Sequence, residues 1–76
     1  MERELSPIDR LTPRELEVLR WVSEGKTNWE IGRILSCSTE TVKKHLHRAY
    51  RKLGVEKRIA AVRYLQEHGD GKLQAA

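Results

Sequence analysis

Six side chains between Glu40 and Arg51 hold most of the chemistry this sequence can do: Glu40, Lys43, Lys44, His47, Arg48 and Arg51. At about 100° per residue from Val42, four of them (Glu40, Lys44, His47 and Arg51) fall within about 40° of the pole opposite Val42. Lys43 and Arg48 flank that strip. On a helix, one face therefore presents cations and hydrogen-bonding groups along its whole length. Such a face suits a polyanion: ammonium and guanidinium groups meet phosphates, and the same groups read acceptors on base edges. The charge is also unevenly spread. Residues 1–42 carry six basic and eight acidic side chains, whereas residues 43–76 carry nine basic and three acidic, within a net charge of +4. A basic stripe of this kind, through Lys43, Lys44, Arg48, Arg51, Lys52, Lys57 and Arg58, is the electrostatic footprint of a nucleic-acid binder. The bland alternative is a solvated helix face.

These groups need a helix with a core side, and the pattern provides one. Val42, Leu46, Ala49, Tyr50 and Leu53 recur at helical spacing. Ser38 caps the start and Gly54 closes the end. Before it, Thr27-Asn28-Trp29-Glu30 opens a short helix with a Thr-x-x-Glu capping box; Ile31, Ile34 and Leu35 are its apolar positions, and it ends near Ser36. Only Ser36 to Ser38 separate the two helices, the spacing of a helix-turn-helix whose second helix reads the major groove. Ser36 stands where such turns often have Gly, and a left-handed residue there costs about 1 kcal/mol when it carries a side chain. An earlier helix opens at Thr12-Pro13-Arg14-Glu15, buries Val18, Leu19 and Val22, and stops at Gly25. A later one runs from about Lys57 to His68 with Ile59, Ala61, Val62 and Leu65 apolar. No segment alternates at period two. The predicted fold is all-α: a four-helix, bundle-like domain over 11–68, with an N-terminal arm or linker over 1–10 and a flexible tail over 69–76.

Composition narrows the function further. A chain of 76 residues holds one domain and little room for a deep cleft. The acidic residues form no acid–base pair, so an enzyme is not expected. Cys37 is the single cysteine, and it suits a small buried hydrophobe better than a redox switch. His45 lies near the core side of its helix and His47 does not, so with His68 they make no metal site; no metal or other cofactor is expected. No run is apolar enough to span a membrane or serve as a signal peptide, so a cytoplasmic protein is expected. Trp29 and Leu16 fall at exposed positions of their helices, Tyr50 at the core edge. Exposed apolar residues are common in their own right, and a partner domain or RNA polymerase is the functional alternative.

The sequence resembles the LuxR-type DNA-binding domains. Leu11-Thr12-Pro13-Arg14-Glu15-Leu16-Glu17-Val18-Leu19 is similar to their opening, and Gly25-Lys26-Thr27-Asn28-Trp29-Glu30-Ile31-Gly32 to their second-helix entry. Ser38 to Thr41, Val42-Lys43-Lys44-His45 and Lys52-Leu53-Gly54-Val55 resemble their recognition helix and its exit. Arg58, Ala61 and Val62 match the start of their fourth helix. The likeness covers residues 11–66. Two positions depart from the pattern: His47 replaces a Lys or other polar residue, and Lys57 replaces a small polar cap.

The resemblance implies a bacterial transcription regulator that binds double-stranded DNA, dimerises through its fourth helix and sits on a roughly palindromic promoter site. It implies base or phosphate contacts at Lys43, Lys44 and His47, and backbone contacts at Thr27, Asn28, Ser38 and Thr41. Glu40 joins Lys43, Lys44 and His47 among the base-contact candidates, and Arg48 and Arg51 are phosphate-contact candidates on the same helix. For the dimer, the fourth helix holds more apolar residues than one core stripe needs, and Ile59 and Tyr64 are the candidates to cross the axis. Residues 27–32 are more similar to the quorum-sensing branch; a ligand-sensing domain and a response-regulator receiver are both open as the upstream unit. Two rival readings remain: region four of a sigma factor, and a protein-interaction module derived from a helix-turn-helix. The fourth helix after Gly54-Val55 argues against the first, the intact basic face against the second.

Overall fold

A hydroxyl, an acidic residue three positions on and a glycine or left-handed residue at the far end recur along this chain, and they set the boundaries of its helices. The computed structural model describes residues 6–68. Within them lie a short 3-10 turn at Pro7–Arg10 and four α-helices: α1 (Pro13–Ser23), α2 (Asn28–Leu35), α3 (Thr39–Leu53) and α4 (Arg58–His68). No strand occurs among the described residues. Thr12 and Thr27 each accept the backbone N–H three residues on, and Glu15 and Glu30 reach back to the cap amides. Both reciprocal boxes satisfy donors that a helix start leaves orphaned. Ser38 accepts the Thr41 N–H at 3.0 Å. Gly54 closes α3 at φ 73°, a conformation for which a residue without Cβ suffers no steric penalty.

The helices surround one core. Val18 and Leu19 of α1, Ile31 of α2, Val42, Leu46, Ala49 and Leu53 of α3, and Ala61 and Leu65 of α4 are buried together. The third helix is the hub, packing on α1, α2, α4 and the 3-10 turn. Its apolar stripe makes this possible, because one helix must face four neighbouring elements with a single side.

The α2–α3 turn is tight. Ser36 adopts the left-handed conformation, φ 58° and ψ 46°, so the penalty anticipated for a non-glycine residue there is present. The Cys37 N–H donates to the Gly32 carbonyl at 2.8 Å. A Cβ at Gly32 would lie 2.7 Å from the Cys37 carbonyl oxygen. Only a glycine at position 32 lets α2 and the turn approach this closely.

Several expectations need correction. Residues 1–10 were expected to form an arm or linker, but Ser6–Asp9 close a capping box and Ile8 is buried; the turn joins the core because Ile8 covers α3. The fourth helix starts at Arg58, one residue late. Lys57 precedes it, its carbonyl accepting the Ala61 N–H, and a lysine has no oxygen with which to cap. Ile34 and Ile59 do not serve the core and are exposed: the core positions of their helices are filled by Ile31 in α2 and by Ala61 and Leu65 in α4. Leu16, expected to be exposed, is half-buried against the core. The tail, 69–76, lies outside the described residues.

Candidate nucleic-acid interface

The third helix puts its two faces where the wheel places them. Val42, Leu46, Ala49 and Leu53 are buried, whereas Glu40, Lys43, Lys44, His47, Arg48 and Arg51 are all exposed. The division is sharp because core and cationic residues are separated by half a helical turn. Glu40 stands in the first turn, where a carboxylate complements the partial positive charge of the helix start; Arg51 and Lys52 stand in the last turn, where cations are favoured.

The N-termini of α2 and α3 open onto a common cleft of about 560 Å³, whose polar lining is Lys26, Thr27, Asn28, Thr39, Lys43 and Arg58. Thr27 is exposed and Asn28 half-buried; Ser38 is exposed and Thr41 half-buried. Ser38 also donates its hydroxyl to Thr41 Oγ1 at 3.0 Å. The four backbone-contact candidates thus occupy two neighbouring helix starts, next to the basic face of α3. Backbone amides, hydroxyls and lysines at helix N-termini are the groups that hold phosphate.

Two cations of the expected stripe serve other ends. The Lys52 Nζ donates to Glu15 Oε1 at 2.7 Å, joining the end of α3 to the start of α1. Glu15 is buried, and burial pushes its carboxyl up. The Lys52 hydrogen bond, the Thr12 amide and the Lys52 charge outweigh that effect and hold it below the ordinary carboxylate range. His45 is half-buried on that side of α3, in keeping with a structural role.

Arg58 is the second. Its Nη1 donates to Asn28 Oδ1 at 2.7 Å and its Nη2 to the Lys26 carbonyl at 2.6 Å. Burial holds the Tyr50 hydroxyl's pKa above its ordinary value, the neighbouring Arg58 guanidinium offsetting only part of that rise. Lys52 and Arg58 look like members of the DNA-facing stripe in the sequence because their partners, Glu15 and Asn28, are 30 or more residues away. The only local signals were that Glu15 sits on the apolar stripe of α1 and that Arg58 opens a helix with no acidic residue in its first turn.

Among the described residues, no cluster of His, Cys, Asp and Glu could hold a metal, and no helix is long and apolar enough to cross a membrane. Cys37 is half-buried. Trp29 is exposed, with the Arg33 guanidinium 5.3 Å from its ring centroid. Tyr64 is half-buried and stacks on His68 at 4.4 Å.

A capped helix, a three-residue turn and a second helix whose outer face is cationic define a helix-turn-helix DNA-binding domain. Comparison with known proteins places it more closely. The family described as bacterial regulatory proteins, luxR family, matches residues 9–65, and the chain belongs to it. The transcriptional activator protein BjaR1 of Bradyrhizobium diazoefficiens is 50% identical over 62 residues, 82% of this chain and 26% of that protein. The HTH-type quorum sensing-dependent transcriptional regulator RpaR of Rhodopseudomonas palustris is 56% identical over 54 residues, 71% of this chain and 22% of that one. The nitrate/nitrite response regulator protein NarP of Escherichia coli is 42% identical over 67 residues, 87% of this chain and 31% of that one. The chain spans about a quarter to a third of the length of these relatives.

Proposed function

We propose that this chain reads a specific double-stranded DNA sequence for a bacterial transcription regulator, with α3 in the major groove. One observation carries the reading: after Glu40 in its first turn, the exposed face of α3 is cationic from Lys43 to Arg51, while Val42, Leu46, Ala49 and Leu53 on the opposite face are buried. Glu40, Lys44 and His47 lie near the centre of that face and meet base edges; Lys43 and Arg48 flank it and meet phosphates, Lys43 doing so beside the cleft, and Arg51, in the last turn of the central strip, meets a phosphate as well. Thr27, Asn28, Ser38 and Thr41 hold the DNA backbone at the two helix starts. The protein works in the cytoplasm, where a bacterial chromosome is, and has no catalytic role.

Two copies bind together on an inverted repeat through α4. Ile59 is 70% exposed, and Ile59, Ala60 and Tyr64 line one shallow groove along α4. An apolar strip on one helix can pair with its own copy about a two-fold axis and set two recognition helices about 34 Å apart. Exposed Trp29 on α2 suits a protein surface such as RNA polymerase. The likeness to RpaR and the residues over 27–32 favour a quorum-sensing regulator as the whole protein.

Selection from a library of random duplexes tests the reading. The chain should enrich one inverted-repeat motif, bind it as two copies, and bind a half-site more weakly. If about five phosphates are neutralised per subunit, the log–log salt dependence should have a slope of about −4 to −5 per subunit. Failure to enrich any motif overturns the sequence-reading role, and equal affinity for half-site and full site, with one copy on each, overturns the dimer.

A further inference from the structure

Arg58 opens α4, yet its guanidinium is spent on the α1–α2 loop and the first residue of α2. We propose that Arg58 is a positioning residue for DNA binding: it fixes the side-chain amide of Asn28 so that the NH2 group, not the carbonyl, is offered to a backbone phosphate. The proposal rests on the reading of this chain as a DNA binder and adds to it the residue that orients one of its contacts.

The chemistry is constrained by what each group can do. A guanidinium only donates, so the Asn28 atom facing it must be the oxygen. The Arg58 Nη1 lies 2.7 Å from Asn28 Oδ1. The two orientations of an asparagine amide differ by which end accepts, and a donor-only neighbour at this distance selects one of them. With Oδ1 held, the amide nitrogen and its two N–H donors point away from Arg58. Asn28 lines the same cleft as Thr39 and Lys43, at the start of a helix, where an anion is favoured. Turned the other way, the amide would set an acceptor oxygen against a phosphate, and the two would repel.

The second bond supplies the rigidity. Arg58 Nη2 holds the Lys26 carbonyl at 2.6 Å, so the guanidinium spans the loop and the Asn28 side chain at once. Its planar fork reaches both acceptors in fixed geometry, and a lysine ammonium of equal charge presents no such pair. This separates orientation from charge. If Arg58 were simply another cation on the phosphates, lysine would replace it well.

The test uses this chain and its selected DNA site, with Arg58→Lys, Asn28→Ala and the double variant. Circular dichroism and thermal melts define conditions in which each variant is folded. Arg58→Lys should weaken binding about tenfold, the loss of about one hydrogen bond to a charged group, with an unchanged salt slope. In the Asn28→Ala background the same change should have little further effect. The Asn28 side-chain NH2 resonances should shift in the Arg58→Lys protein without DNA. Full affinity in Arg58→Lys, equal losses in both backgrounds, or Asn28 NH2 resonances that do not move would each overturn the proposal. Wild-type protein that binds no duplex would instead overturn the DNA-binding reading, and with it the phosphate role given to Asn28, even where the resonances still report the Arg58 contact.

Discussion

Lys52, which by charge and position belongs to the cationic end of the recognition helix, turns back to donate to Glu15 Oε1 at 2.7 Å. Glu15 is buried and already accepts the Thr12 amide at 3.0 Å. One carboxylate therefore caps α1 and ties α3 to it. The angle at which α3 leaves the core, and so the angle at which its basic face is presented, rests in part on this pair.

Lys52→Met should destabilise the domain by about 2 kcal/mol, because it leaves a buried carboxylate without its cation. Adding Glu15→Gln in the same chain should recover part of that loss. Urea unfolding of the two single variants and the double variant measures it. The salt slope of DNA binding should not change with Lys52→Met, since this ammonium faces Glu15.

Acid should unfold the protein partly through Glu15. Its folded-state carboxyl is more acidic than the ordinary value of 4.5, so the unfolded chain takes up the proton first. The stabilisation is complete above about pH 4.5 and is lost as pH falls through the lower folded value. Unfolding free energies measured from neutral pH to pH 3 should fall less steeply for Glu15→Gln than for wild type.

Lys44→Ala should cost about 1–3 kcal/mol on the selected site and much less on random duplex, as expected for a side chain that reads a base edge. Lys43→Ala should weaken both by similar amounts and reduce the salt slope by about one. Binding isotherms on the two duplexes at several salt concentrations distinguish these roles. Equal affinity of Lys44→Ala and wild type for the selected site would remove Lys44 from the reading face.

Ser36→Gly should raise stability by about 0.5–1 kcal/mol. Ser36 is the one described non-glycine residue with positive φ, and glycine occupies that conformation without a clash, although it gives the unfolded chain more freedom. A higher melting temperature with unchanged DNA affinity is the expected outcome. Gly32→Ala should do the opposite, because its Cβ would meet the Cys37 carbonyl.

The local signals were all in the sequence. Thr12, Thr27 and Ser38 announce helix starts through short-range hydrogen bonds, and Gly54 announces an end through its backbone freedom. The period from Val42 to Leu53 separates a core face from a cationic one, so the helix-turn-helix and the exposed residues from Glu40 to Arg51 were legible without coordinates. So was the left-handed strain at Ser36, from position alone.

What only the tertiary structure decided is where individual charges and apolar side chains spend themselves. Lys52 and Arg58 look like any other members of a basic stripe until Glu15, Lys26 and Asn28 are brought beside them by the packing of α1, α2 and α4. Ile8 looks like part of a linker until α3 offers it a surface, and Ile34 and Ile59 look like core until their helices are rotated against their neighbours. Sequence periodicity records which side of a helix is apolar, because that depends on a residue's own few neighbours along the chain. The Lys52 and Arg58 contacts depend on groups 30 or more positions away, and no local pattern encodes that distance.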